Sequence, residues 1–207
     1  MDPDHETHVT GGQYFEPSPT VPSAPERVRL DLPDVSLTLD TDRGVFSAGA
    51  IDVGTGILLR EGGAPAPTGT LVDVGCGYGP IALALAARAP RATVVAVDVN
   101  ERARALCRAN AERLGLANVT VLSPDEVAED LVVDEIWSNP PIRIGKPALH
   151  ALLDGWLARL APGGRAVLVV QKHLGADSLA ARLMSVGWSV DRLAARRAYR
   201  ILEVRRA

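Results

Sequence analysis

The chain has 207 residues, is 47% hydrophobic and carries a formal net charge of −3, which suffices for one sizeable core rather than two. No apolar run approaches the roughly 18 residues of a membrane span, so none is expected. The N-terminus lacks the basic and apolar regions of a secretory signal, and two cysteines, Cys76 and Cys107, make no disulfide framework, so a cytoplasmic setting is expected.

Residues 1–26 hold five acidic side chains and no Lys or Arg, and prolines at 3, 17, 19, 22 and 25 suit a flexible acidic arm. The other 181 residues carry 22 basic against 20 acidic side chains, concentrated as net +4 in 139–175 and net +4 in 196–206. Such patches suit either phosphate contacts or ordinary solvated surface.

Val28–Leu32 and Val35–Leu39 alternate with period two around Pro33-Asp34 and predict a small hairpin. Phe46-Ser47 opens a loop, Asp52 caps a short helix through Leu59, and Arg60–Gly69 is a linker rich in Gly, Ala and Pro. Strand and helix then alternate: strand Leu71–Val74, helix Pro80–Arg88, strand Thr93–Val97, helix Glu101–Leu114, and strands Val119–Leu122 and Val133–Trp137. A helix Leu149–Leu160 ends at Pro162-Gly163-Gly164. Strand Ala166–Val170, helix Ser178–Val186 and an antiparallel pair, Trp188–Val190 with Ile201–Val204, complete the chain. The pattern predicts an α/β fold of Rossmann-like type, a parallel sheet covered on both faces. Residues 1–26 form the arm, 27–69 a β extension and covering segment, and 70–207 the main α/β domain.

Gly75-Cys-Gly-Tyr-Gly79 lies between a strand and a helix, where glycines let the backbone turn sharply and approach a ligand. The frame Gly77, Gly79, Ala82 fits a relaxed dinucleotide fingerprint, so spacing alone leaves NAD open. Asp73 favours another ligand. A carboxylate two residues before the first glycine pairs with a cationic amino-acid moiety and repels a pyrophosphate, which suits S-adenosylmethionine; the other role for Asp73 is to tie down the glycine turn. Asp98, 23 residues after Gly75 at a strand end and followed by Val99, is placed to accept both ribose hydroxyls, while Asn100 is the better helix cap. Asp125 reads equally as a contact for an adenine amino group, with the Glu126 amide facing a ring nitrogen, or as a turn cap. Cys76 reads as a small loop residue rather than a nucleophile.

Asn139-Pro140-Pro141-Ile142 follows the fourth strand of the domain, at the edge where open α/β sheets bind ligands. The Asn139 side-chain oxygen and the Pro140 carbonyl can accept the two hydrogens of an exocyclic amine, with Pro141 restraining residue 140. Catalysis would then be orientation and electrostatics, with the proton leaving after transfer. Ile142 would pack one face of a base. Arg143, Lys146 and Lys172 would meet substrate phosphates, with Lys146 alternatively on a helix exterior. Phe46 would cover the cofactor or stack on the base, and His173 would bind RNA or cap a turn. No His/Cys cluster has metal-ligand spacing.

These residues resemble the class I S-adenosylmethionine-dependent methyltransferases, and more narrowly the small-domain family related to small-subunit ribosomal RNA guanine-N2 methyltransferases. The likeness runs from about Tyr14-Phe15 to the end. It is carried by Gly44-Val-Phe-Ser47, Asp52-Val-Gly-Thr55, Asp73-Val-Gly-Cys-Gly-Tyr-Gly79 and Ser138-Asn-Pro-Pro-Ile-Arg-Ile-Gly-Lys146. It implies a seven-stranded sheet with its last strand antiparallel, and a cofactor held by Asp73 to Gly79, Asp98 and their neighbours. It also implies a target amine held by Asn139 to Ile142, with Asn139 touching the cofactor as well. The implied substrate is RNA, ribosomal RNA or the small subunit, methylated at guanine N2 by a monomer or weak homodimer. Adenine N6, a protein glutamine and a small-molecule amine are alternative acceptors, and a non-catalytic RNA-binding or assembly module is the other class. Two departures stand out. Many relatives have an aromatic where this chain has Ile142, and the longer ribosomal RNA enzymes carry a second, degenerate domain in front, where this chain has about 60 residues.

Overall fold

The computed structural model describes residues 21–207. Most of the expected acidic arm, and the Tyr14-Phe15 pair, lie outside the described residues. The first elements are an antiparallel hairpin, β1 (Glu26–Asp31) and β2 (Ser36–Thr41), with Val28 opposite Leu39 and Leu30 opposite Leu37. These four apolar side chains are buried while the alternate positions face outward. Helix α1 (Val53–Glu61) follows.

The main unit runs β3 (Thr70–Val74), α2 (Pro80–Arg88), β4 (Thr93–Val97), α3 (Glu101–Arg113), β5 (Val119–Leu122) and β6 (Val133–Ser138). It continues α4 (Lys146–Leu157), β7 (Leu160–Gln171), α5 (Ala176–Ser185), β8 (Trp188–Arg196) and β9 (Tyr199–Arg206). The seven strands lie in the order β5-β4-β3-β6-β7-β9-β8, with β9 antiparallel to both neighbours and the remaining pairs parallel. The chain moves outward from β3 to β5 and then restarts on the other side at β6. The carboxyl ends of β3 and β6 therefore flank a topological switch point, where such sheets hold ligands.

Strand alternation divides the core into two layers. Leu71, Trp137, Val167 and Ile201 pack with α1, α2, α3 and the hairpin. Val72, Ile136, Leu168 and Leu202 pack with α4 and α5. Helix α1 reaches the sheet because Gly54 within it and Gly62, its C-cap, permit close approach. A Cβ on Gly62 would lie 2.6 Å from the Trp137 ring, and one on Gly54 would lie 2.7 Å from the Tyr199 ring.

The helix expected at 149–160 is shifted: α4 spans Lys146–Leu157, and Leu160 already pairs with Val133 as the start of β7. Pro147 suits a helix first turn, which moves the start forward. Pro162-Gly163-Gly164, expected as the break between helix and strand, instead lie within β7 beside the register shift between Val133 and Glu135, where an irregularity tolerates proline. The linker begins at Gly62 because α1 runs to Glu61, and the last two strands are longer than expected.

Candidate active site

A cavity of about 490 Å³ opens at the carboxyl edge of the sheet. The turn after β3 contributes Gly75 and Gly77, with φ of 79° and 55°. A Cβ on either would meet no atom within 4 Å, so these glycines leave a bare backbone against open space. The N–H groups of Gly75 and Cys76 both donate to the Val97 carbonyl, at 2.8 and 3.0 Å, pinning the turn to β4.

Three residues expected at this wall lie behind it. Asp73 is fully buried, and its Oδ2 accepts the Ala82 N–H at 2.9 Å. The reason is local: the N-cap of α2 is Gly79, which has no side chain to satisfy the first N–H groups of the helix, so Asp73 does so. Burial pushes the Asp73 carboxyl up to about 8, against the pull of the Ala82 N–H, and the charge of Asp98 adds to the rise. Its Oδ1 is buried without a partner among the described residues. Cys76 turns into the core, where the adjacent Cys107 thiol and burial hold its own thiol well above the ordinary value, the opposite of a nucleophile's environment. Gly79 is tightly packed, since a Cβ there would lie 2.8 Å from Leu83 and 2.9 Å from Cys107 Sγ.

Asp98, after β4, lines the cavity. Its Oδ2 accepts Gly77 N–H and its Oδ1 accepts Asn100 N–H, both at 2.8 Å. Asn100 caps α3 by accepting Ala103 N–H at 3.0 Å. Each carboxylate oxygen thus retains acceptor capacity toward the cavity. Burial raises the Asp98 pKa, opposed by the N–H groups of Asn100 and Gly77 and by Arg104. Val99 and Phe46 line the same side. The Phe46 loop is tied to α3 by Asn100 Nδ2, which donates to the Gly44 carbonyl at 2.9 Å, and to the glycine turn by the Tyr78 hydroxyl, which donates to the Ala50 carbonyl at 3.3 Å. Asp125 and Glu126 stay outside the lining. Their turn is closed by a capping box in which Glu126 accepts from Ser123 N–H and hydroxyl, and the Glu126 amide is itself spent on the Ser123 carbonyl. Pro124 lines the cavity from this turn instead.

The opposite wall is the turn after β6, with Asn139, Pro140, Pro141, Ile142 and Arg143 in the lining. Pro141 has φ −73° and ψ 74°, an inverse γ-turn, and the Pro140 carbonyl accepts the Ile142 N–H at 2.8 Å. The oxygen expected to accept an amine hydrogen therefore has one lone pair engaged and one remaining. Asn139 Nδ2 donates to Asp52 Oδ1 at 2.7 Å and to Thr55 Oγ1 at 3.1 Å, which leaves its own Oδ1 as an acceptor. Lys146 starts α4 and Lys172 follows β7, both outside the lining, as is His173.

Several lining residues escaped the sequence reading. Asp52 read only as a helix cap, which it also is, accepting Thr55 N–H at 2.9 Å. Tyr199, Gln171, Leu174, Leu152 and Trp156 arrive from segments distant in sequence and carry no local motif. Tyr199 is fixed by the Gln171 Nε2 bond to its hydroxyl at 2.8 Å. Among the described residues no group of His, Cys, Asp or Glu could hold a metal ion, and no helix is long and apolar enough to cross a membrane.

Comparison with known proteins is consistent across sequence and structure. The family model "Methyltransferase small domain" matches residues 36–203. "Uncharacterized protein YbxB" of Bacillus subtilis is 34% identical over 196 residues, 93% of this chain and 98% of that protein. "Ribosomal RNA small subunit methyltransferase C" of Shewanella halifaxensis is 33% identical over 166 residues, 77% of this chain and 48% of that protein. The chain therefore spans about half the length of that ribosomal RNA enzyme. A structure of the T. thermophilus 16S rRNA N2 G1207 methyltransferase, in complex with AdoMet and guanosine, superposes with a TM-score of 0.74 at 25% identity, covering 91% of this chain and 52% of that one.

Proposed function

The chain belongs to the methyltransferase small-domain family, and from that premise we propose that it moves a methyl group from S-adenosylmethionine to an exocyclic amine of RNA, with guanine N2 of small-subunit ribosomal RNA as the acceptor. The observation that carries this reading is the pairing, across one cavity, of a glycine wall and Asp98 with an Asn139 whose nitrogen is tied back and whose oxygen is left to accept.

The wall suits the cofactor. Gly75 and Gly77 leave room where side chains would intrude, Asp98 offers acceptors to a ribose diol, and Phe46, Val99 and Pro124 offer apolar surface to an adenine. A pyrophosphate gains little here, because Asp73 already occupies an N–H at the positive end of α2 and places a carboxyl beside it. Bound S-adenosylmethionine supplies an electrophilic methyl carbon on a sulfonium. Asn139 Oδ1 accepts one amine hydrogen and the free lone pair of the Pro140 carbonyl accepts the other, aiming the nitrogen lone pair across the cavity. Ile142 and Phe46 bound the space for a flat base. Because the amine becomes acidic once alkylated, it needs no strong base to lose its proton.

Cation distribution favours a polyanion. Arg27, Arg29, Arg88, Arg113, Arg165, Arg182 and Arg205 are all paired with carboxylates. Arg143 in the cavity lining, Lys146 at the start of α4 and Lys172 just after β7 are among the cations that make no ion pair among the described residues. Unpaired cations at the mouth of a cleft steer phosphates toward it.

The test is incubation with methyl-labelled cofactor and, separately, small-subunit RNA, intact small subunits, DNA and protein, followed by nucleoside analysis. The expected product is N2-methylguanosine from a small-subunit fraction, mostly lost in Asn139→Ala with cofactor binding much less affected. Label on adenine N6, on a glutamine or on a small metabolite would replace the acceptor. Bound cofactor with no transfer to any fraction would overturn the enzymatic reading.

A further inference from the structure

Asn139 can present either face of its amide to the cavity, and the chemistry differs completely between them. With oxygen inward it accepts from an amine; with nitrogen inward it confronts the amine with another donor. The element that decides this is not on the β6 turn. Asp52, at the start of α1, offers only acceptors, and its Oδ1 lies 2.7 Å from Asn139 Nδ2. Thr55 Oγ1 lies 3.1 Å from the same nitrogen. Thr55 is 5% exposed, and the Asp52 oxygen that holds Asn139 also accepts Thr55 N–H at 2.9 Å. One carboxylate oxygen therefore fixes both the first turn of α1 and the orientation of the amide.

The platform is rigid for identifiable reasons. Tyr199 packs on Gly54, the residue between Asp52 and Thr55 that lacks a Cβ, and Gly62 seats the far end of α1 on Trp137. Asp52 itself lines the cavity, so its charge lies at the site rather than behind it.

We propose that Asp52, assisted by Thr55, is a positioning residue that holds Asn139 oxygen-inward and polarises its amide during methyl transfer. This rests on the reading of Asn139 as the amine acceptor. As the amine nitrogen forms its bond to carbon, and the pair of the broken carbon–sulfur bond stays on sulfur, the nitrogen becomes positive and its hydrogens become stronger donors. The chain from Asp52 carboxylate through the Asn139 amide to the amine then strengthens along its length, because each bond polarises the next. The gain appears in the transition state more than in the ground state, so it acts on kcat rather than on substrate affinity.

Capping and positioning can be separated by two substitutions. Serine caps a helix as well as aspartate does but is too short to reach Asn139, whereas asparagine caps and reaches but has no charge. Asp52→Ser should therefore fold normally, bind S-adenosylhomocysteine as the parent does and lose about 10- to 100-fold in kcat. Asp52→Asn should keep most activity, losing less than about tenfold. Equal kcat in Asp52→Ser and the parent would overturn the proposal, and so would equal losses in the two variants. A second readout needs no substrate. The Asn139 side-chain NH2 signal, identified by its loss in Asn139→Ala, should be protected from solvent exchange in the parent and in Asp52→Asn and unprotected in Asp52→Ser. Full protection in Asp52→Ser would refute the positioning role whatever the acceptor proves to be. Absence of any methyl transfer by the parent would instead remove the functional reading and leave this second test standing.

Discussion

Gly77→Ala separates a ligand-bearing backbone from a merely strained one. Gly77 has φ 55°, and a Cβ there would touch nothing within 4 Å. The fold therefore loses only the cost of holding an L-residue in the left-handed region, about 1–2 kcal/mol. For a chain of this size that lowers Tm by roughly 2–8 °C. The new methyl group stands at a residue that lines the cavity, where the cofactor backbone would pass. Forcing a ligand around one misplaced methyl costs about 1–3 kcal/mol, or roughly 5- to 150-fold in affinity. Gly163→Ala is the matched control: its φ is 80°, its Cβ also meets nothing within 4 Å, and it lies in the first third of β7, away from the cavity lining. Both variants should melt earlier by similar amounts, and calorimetric titration with S-adenosylhomocysteine should find weakened binding in Gly77→Ala alone. If both variants bound with the parent's affinity, the glycine turn would not be the cofactor wall.

Asp98→Ala should weaken S-adenosylhomocysteine binding by about tenfold or more, since bonds to a charged acceptor contribute about 1.5–3 kcal/mol each; unchanged titration calorimetry removes the ribose role. Lys146→Gln with Lys172→Gln should flatten the salt dependence of RNA binding by about 0.7 in slope per lost phosphate contact and leave cofactor affinity alone, and a filter-binding series with an unaltered slope would contradict the basic rim. For Asp73 the folded-state pKa of about 8 lies above the ordinary 3.8, so the native state binds the extra proton between those values. Its contribution therefore favours folding below the window and is lost as pH rises through it, at up to about 1.4 kcal/mol per pH unit. Asp73→Asn keeps an acceptor for Ala82 N–H and should remove that slope from urea-unfolding curves; a slope that persists would assign it elsewhere.

The strand, glycine-turn and helix succession was legible because period-two apolar runs and glycine punctuation are local signals. The placement of Asp98 and Asn139 at the ligand edge was legible for the same reason, each following a recognisable strand, and both line the cavity. The misplacements share one cause, namely that partners arrive from outside the local window. Asp73 looked free for a ligand because Gly79, six residues on, gives no outward sign that its helix lacks a cap. Cys76, expected among the residues holding the cofactor, turns inward beside Cys107, which arrives on α3. Asp52 satisfied a capping rule so well that a second partner 87 residues away in sequence went unseen. Tyr199 and Gln171 reach the cavity only because β9 returns antiparallel beside β7, which pairs Gln171 with Tyr199 at the carboxyl edge. The break expected at Pro162-Gly163-Gly164 failed because a register shift lets β7 carry these residues.

A crystal structure of the protein with S-adenosylhomocysteine and guanosine bound together would show whether Asn139 holds the amine. It should show Asn139 Oδ1 within hydrogen-bond distance of the guanine exocyclic nitrogen, about 2.7–3.2 Å, with that nitrogen facing the sulfur and the Asn139 nitrogen still on Asp52. A guanosine whose amine points away from the sulfur, or an Asn139 oxygen turned toward α1 with no contact to the base, would contradict it.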